Sequence, residues 1–210
     1  MLGYYNPSVI LTYLSLIFAS FGISSAMKGG ENGIFAAVFA LMLSGVCDMF
    51  DGAVAAKCKR NEEEKLFGIQ IDSLCDLVAF GVLPACITLA LAEHSAFSRI
   101  GASLILLSSV IRLGFFNVQE TVRDRTERLT HYTGLPVTTV AILFPAALLI
   151  GHVLELPLHL FAPGCLCLFS FLEVSRLKLK KPYGAGKWIL LAAGILVFAG
   201  ILLSKLHLGL

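Results

Sequence analysis

Seven stretches of about twenty mainly apolar residues, separated by charged or Gly/Pro breaks, dominate this chain and restrict what it can fold into. They lie near 7–27, 33–57, 68–92, 97–118, 134–154, 156–175 and 186–207. As a helix, a stretch of that length matches the hydrocarbon thickness of a bilayer. Lipid offers no partner to backbone N–H and C=O groups, so each stretch must satisfy its own, and a helix does that. Seven spans use about 140 positions and leave about 70 for every loop and end, too few for a separate extramembrane domain. The expectation is an all-α, polytopic membrane bundle with residues 1–210 as one domain. Six helices would result if the sixth run, interrupted by Pro157 and Pro163-Gly164, is kinked or re-entrant. Composition agrees, since only 14% of residues are charged, against roughly 25% in average globular chains.

Charge sets the orientation. If the amino terminus is cytoplasmic, the even-numbered loops hold Lys57, Lys59, Arg60 and Lys65, then Arg123, Arg125 and Arg128, then Arg176, Lys178, Lys180, Lys181 and Lys187. With Arg112 near the same side, that places thirteen of the sixteen Lys and Arg residues there and leaves Lys28, Arg99 and Lys205 opposite. This positive-inside bias is strong, and five or six spans would break its alternation. The cluster at 176–181 suits anionic headgroups. A net charge of +2 gives no basis for a nucleic-acid partner. The apolar start has no basic residue before it and no small-residue cleavage pattern, so it reads as a retained first span. The six cysteines form no CxxC pair and read as small apolar fillers rather than metal ligands or disulfides. The five histidines sit at span ends, four of them on the far side from the acids described next, which argues against a histidine-based site.

Four of the five aspartates, Asp48, Asp51, Asp72 and Asp76, bridge the second and third spans. Burying a carboxylate near a membrane costs several kcal/mol unless it is paired or metal-bound, so these are the first functional candidates. Asp48 and Asp51 are spaced i,i+3, and Asp72 and Asp76 i,i+4, which puts each pair on one helix face. Two acidic faces meeting across a short turn call for one or two divalent cations, and oxygen-only ligation favours Mg²⁺, Mn²⁺ or Ca²⁺ over zinc. Gly52 and Ala55 continue the Asp48/Asp51 stripe, and Gly68 opens the next helix. Their small size suits either close helix packing or a flat polar group such as a nucleotide lying against backbone. The run Glu62-Glu63-Glu64 reads as a solvated loop face or a helix start.

The segment 48–76, with Asp48-x-x-Asp51-Gly52-x-x-Ala55 followed by Gly68-x-x-x-Asp72-x-x-x-Asp76, resembles the signature of the CDP-alcohol phosphotransferase family, D-x-x-D-G-x-x-A-R, about eight residues, then G-x-x-x-D-x-x-x-D. The resemblance implies a membrane enzyme that displaces CMP from a CDP-linked lipid with an alcohol at a two-metal site near the cytoplasmic surface, of Mg²⁺ or Mn²⁺. It implies Asp48, Asp51, Asp72 and Asp76 as metal ligands, and Asp76 as the base that takes the proton of the attacking hydroxyl. It also implies an integral protein of a bacterial cytoplasmic membrane, surrounded by membrane lipids and associating as a homodimer. Two features depart from the pattern: Ala56 stands where the family has arginine, and the gap to Gly68 is three residues longer. Lys57, Lys59 or Arg60 are the candidate replacements, and without one a catalytically silent member is the alternative.

Flanking segments are similar to the phosphatidylserine synthase branch: Asp72-Ser73 through Phe80-Gly81 and Pro84-Ala85, then Arg112-Leu113 with Phe116-Asn117-Val118, then Gly134-Leu135-Pro136. This implies transfer of a phosphatidyl group from CDP-diacylglycerol to L-serine, giving phosphatidylserine and CMP. Glycerol 3-phosphate or inositol phosphate are the alternative acceptors, but both would want several converging cations, and Phe115 replaces a second arginine of that branch. Arg112 and Asn117 are the candidates for contact with the acceptor or the lipid phosphate. A snorkelling side chain and a helix cap are the competing readings. Thr12 and Ser15 in the first span either line a nucleotide pocket or bond their own backbone. An ion-coupled transporter, the reading from another class, would show internal repeats and a midplane site. Here no repeat is visible, and the acids gather toward one face.

Overall fold

The computed structural model describes residues 3–4, 6–92, 95–122, 131–180 and 185–207. Arg123, Arg125, Arg128, Lys181 and His94 therefore lie outside the described residues. Helices occupy all of the apolar runs: α1 (Ile10–Lys28), α2 (Gly30–Ala55), α3 (Glu62–Leu91), α4 (Ala96–Val122), α5 (Val140–Val153), α6 (Leu158–Val174) and α7 (Ala185–His207). The segments Pro7–Lys28, α2, α3 and Ala96–Thr121 are long and apolar enough to cross a membrane, whereas α5, α6 and α7 offer shorter apolar stretches. A three-residue strand β1 (His131–Thr133) pairs antiparallel with β2 (Lys178–Lys180), tying the segment before α5 to the one after α6.

Local chemistry explains where the elements begin and end. Gly29 and Gly30, with φ of +67° and +68°, make the reversal between α1 and α2, a conformation that costs glycine little. Helix α3 starts at Glu62, six residues before its apolar run, because Asn61 and Glu64 form a reciprocal cap. The Glu64 amide donates to Asn61 Oδ1 at 2.7 Å, and the Asn61 amide donates to Glu64 Oε2 at 2.8 Å. The three glutamates thus sit in the first turn, where the helix dipole favours them. Pro163 lies inside α6 without ending it. Gly101 of α4 packs there so closely that a Cβ would come within 3.0 Å of the Pro163 carbonyl oxygen.

The helices meet through small residues. Helix α1 lies along α2, and α4 along α6, as the most extensive pairings. Between α1 and α2 two serines clasp reciprocally, Ser15 Oγ donating to the Ser44 carbonyl at 3.3 Å and Ser44 Oγ to the Ser15 carbonyl at 3.0 Å. These hydroxyls spend their donors across the helix interface, as polar groups do where no water competes. Behind them the core gathers Leu41, Phe80, Leu83, Ile87, Ile105 and Phe144. The outer faces carry Ile17, Phe21, Leu107, Phe171 and Leu196. That inversion of a soluble surface suits contact with acyl chains.

Gly45 of α2 faces Ala141 of α5, and a Cβ at Gly45 would sit 2.5 Å from the Ala141 Cβ. Neither atom can rotate away, so the helices would have to part. Gly45→Ala is expected to destabilise the bundle by about 1–3 kcal/mol, the range for overpacking, read as a lowered thermal midpoint of the detergent-solubilised protein.

Candidate active site

Helices α2 and α3 are joined by a short turn, with Asp48 and Asp51 near the end of α2 and Asp72 and Asp76 towards the middle of α3. Carboxylate oxygens of Asp48, Asp72 and Asp76 all lie within 4.8 Å of one another. Asp51 stands beside this trio: it shares a hydrogen bond with Asp72, as Asp48 does with Asp76. Thr12 of α1 donates its hydroxyl to Asp51 Oδ2 at 3.4 Å. Asp76 is buried, whereas Asp48 and Asp72 are half-buried. So the four acids predicted to converge do so, with three of them forming the compact set. The donor set consists of oxygen alone, crowded and half-shielded from solvent, and it fits a hard divalent cation such as Mg²⁺ or Mn²⁺.

The small residues of the stripe fall as the periodicity requires. A Cβ at Gly52 would meet nothing within 4 Å, so open space adjoins the acids along α2. Ala55 is half-buried one turn further on. At Gly68, one turn before Asp72 on the same face of α3, the nearest group is Nη1 of Arg60, 3.4 Å from where a Cβ would stand. Immediately after Asp76, α3 widens into a π-helical turn, Leu77–Val82. Such wide turns occur mostly singly inside α-helices and frequently at functional sites, and nothing in the residue pattern announces this one.

An apolar groove of about 800 Å³ opens between α2, α5 and α7, lined by residues including Met42, Val46, Pro136, Ile142, Leu191 and Gly194. Asp48 also lines it, so the groove is continuous with the acidic cluster.

The two acceptor candidates lie on α4. Asn117 accepts a hydrogen bond from Ser73 Oγ at 2.7 Å, which places it against the turn of α3 that carries Asp72 and Asp76. Arg112 is buried: Nη1 donates to the Glu173 carbonyl at 2.9 Å, and the guanidinium stacks 4.6 Å from the Phe116 ring centroid. Gly134, with φ of +72°, is wedged against both. A Cβ there would come within 2.6 Å of the Glu173 carbonyl oxygen and 2.7 Å of Arg112 Nη1. The Gly134 amide donates to the Leu177 carbonyl at 2.7 Å. The Gly134-Leu135-Pro136 segment is thereby docked onto the end of α6.

Sequence reading missed Glu173. Its carboxylate is 2% exposed and accepts from Ser108 Oγ at 2.6 Å and Ser109 Oγ at 3.2 Å, both on Oε2. Oε1 has no hydrogen-bond partner among the described residues. The signal was available, because a lone acid inside an apolar run is costly and seldom idle.

Comparison with known proteins accords with this arrangement. Residues 5–172 match the family model of CDP-alcohol phosphatidyltransferases. The chain is 30% identical over 174 residues to an archaetidylserine synthase of Methanothermobacter thermautotrophicus, covering 82% of this chain and 70% of that protein. It is 29% identical over 163 residues to a CDP-diacylglycerol–serine O-phosphatidyltransferase of Helicobacter pylori strain J99, covering 75% and 65% respectively. To the Saccharomyces cerevisiae protein of the same name it is 37% identical over 111 residues, covering 50% and 39%. The chain thus spans from about two fifths to seven tenths of the length of these relatives.

Removing the guanidinium of Arg112 would leave the Glu173 carbonyl without this donor in the core. Arg112→Leu is expected to cost about 1–3 kcal/mol, as leaving a buried acceptor unsatisfied does, with a smaller loss for Glu173→Gln. Chemical denaturation of the two variants in detergent checks the order.

Proposed function

The chain belongs to the CDP-alcohol phosphatidyltransferase family, and we propose that it transfers a phosphatidyl group from CDP-diacylglycerol to the hydroxyl of L-serine, releasing CMP and forming phosphatidylserine. The observation that carries this reading is the meeting of Asp48, Asp72 and Asp76 within 4.8 Å inside the segment 48–76. The printed names of the relatives, which specify serine, support the choice of acceptor.

In this reading Asp48, Asp51, Asp72 and Asp76 hold one or two divalent cations, Mg²⁺ or Mn²⁺. When bound, such ions neutralise charge gathering on the phosphate oxygens and orient the diphosphate. The chain's own residues do the rest. Open space beside Gly52, with Ala55 and Gly68 flanking it, leaves room for the nucleotide, and Thr12 steadies Asp51 from α1. The groove leading away from Asp48 takes the acyl chains, since it is apolar and begins at the acids. A serine hydroxyl is a weak nucleophile at neutral pH until a base takes its proton, and Asp76 accepts that proton on a carboxylate oxygen. The serine Oγ then forms a bond to the phosphorus bearing diacylglycerol, as the bond from that phosphorus to the CMP oxygen breaks. Asn117, held against α3 by Ser73, touches the acceptor in this reading. Arg112 acts from behind, as the charged anchor of the Gly134 turn. The site faces the side of the membrane that holds the basic loops, the cytoplasmic side of a bacterial membrane by the positive-inside rule, and the protein works as a homodimer.

Two measurements test the proposal. Purified protein given CDP-diacylglycerol and Mg²⁺ or Mn²⁺ is expected to release CMP when L-serine is added. Glycerol 3-phosphate and inositol phosphate should give little, and a preference for either would overturn the acceptor. Asp76→Asn is expected to lower turnover by at least about 10²-fold, the scale of general-base catalysis, while CDP binding persists. Turnover at the wild-type rate would remove Asp76 from the mechanism.

A further inference from the structure

Arg60 stands in the turn between α2 and α3, half-buried against α3. Among the described residues its buried Nε has no hydrogen-bond partner and its side chain makes no ion pair. A shielded guanidinium nitrogen without an acceptor carries a desolvation penalty, so something outside the described chain is expected to meet it. The backbone on both sides of Arg60 is pinned. Asn6 Nδ2 donates to the Lys59 carbonyl at 3.0 Å, and Asn61 is locked in its reciprocal cap with Glu64. The guanidinium lies over Gly68, the one side-chain-free position of its turn of α3, with Nη1 3.4 Å from where a Cβ would stand. Gly68 and Asp72 are i,i+4 and share one helix face, so the guanidinium lies over a position one turn before an acid of the cluster.

We propose that Arg60 is a phosphate-binding residue, gripping the diphosphate of the CDP-linked lipid from the loop side while the aspartates face it from the helices. The guanidinium's planar fork presents Nε–H and Nη–H in parallel, the geometry that phosphate oxygens accept in pairs. Among the three cations in or beside this turn that the sequence leaves open, Lys57 and Lys59 are exposed and Arg60 is half-buried against α3.

This inference rests on the proposed function, and the test separates the two. CDP with Mn²⁺ is titrated calorimetrically into the full-length protein in a neutral, phosphate-free detergent, and CMP release is followed in parallel. Wild-type protein that neither binds CDP nor releases CMP would overturn the functional reading itself. If wild type does both, Arg60→Gln is expected to weaken CDP binding by about 10- to 100-fold, the usual worth of a charge-assisted hydrogen bond. The KM for CDP-diacylglycerol should rise while the KM for serine stays put, a split that a collapsed loop would not produce. Arg60→Lys keeps the charge without the fork and should fall between the two, and it carries the test if the glutamine variant does not fold. Unchanged CDP affinity in a folded variant would overturn the proposal. So would a defect seen only in nanodiscs of phosphatidylglycerol, since that would assign Arg60 to headgroups.

Discussion

Everything in this bundle is arranged around the cost of holding like charges together. Two carboxylates 4.8 Å apart repel by about 3–4 kcal/mol at an effective dielectric constant near 20, and the trio contains three such pairs. Shared protons or bound cations can cancel that repulsion, but the helices must first bring the groups to one place and keep them there. The clasp between Ser15 and Ser44, the close approach of Gly45 to Ala141, and the threonine of α1 on Asp51 all act on the α2 side of this problem. On the α3 side the reciprocal cap and the hold of Asn6 on the preceding loop fix where the helix begins, and hence the rotation at which Asp72 and Asp76 face their partners.

A second charged centre lies deeper, between α4 and α6, and it has a different character. Glu173, Ser108, Ser109 and Arg112 bond chiefly to one another and to backbone, with Gly134 pressed against them. The acids of the first centre face open space and a groove, whereas this group is closed over by protein. Its arrangement fastens the turn before α5 to the end of α6, and β1 and β2 extend the same connection. The branch-like segment Gly134-Leu135-Pro136 therefore contributes architecture at this point.

Much of this was legible in the residues. Hydrophobic runs of bilayer length located the helices, and the i,i+3 and i,i+4 spacing of the aspartates placed each pair on one face. The early start of α3 escaped hydropathy because Glu62 to Lys65 are polar, and only the pairing of Asn61 with Glu64 sets that boundary. The sixth run stayed helical through Pro163 because a neighbouring helix packs where the ring interrupts the ladder, a tertiary effect that no local rule contains. Arg112 was a candidate for the acceptor or the lipid phosphate, with a snorkelling side chain as the competing reading; that its Nη1 donates to the Glu173 carbonyl, 61 positions away, no local pattern shows. Arg60 could not be told from its lysine neighbours until the fold laid it on Gly68.

The wide turn following Asp76 has an architectural consequence. One residue more than a regular helical turn holds rotates everything downstream by about 100°, so the two halves of α3 obey separate demands. The portion up to Asp76 is phased to turn its acids toward Asp48 and Asp51 of α2, and the portion carrying Leu83 and Ile87 is phased for burial against its neighbours. Such a rod behaves as two tools on one shaft, each able to be reshaped without turning the other.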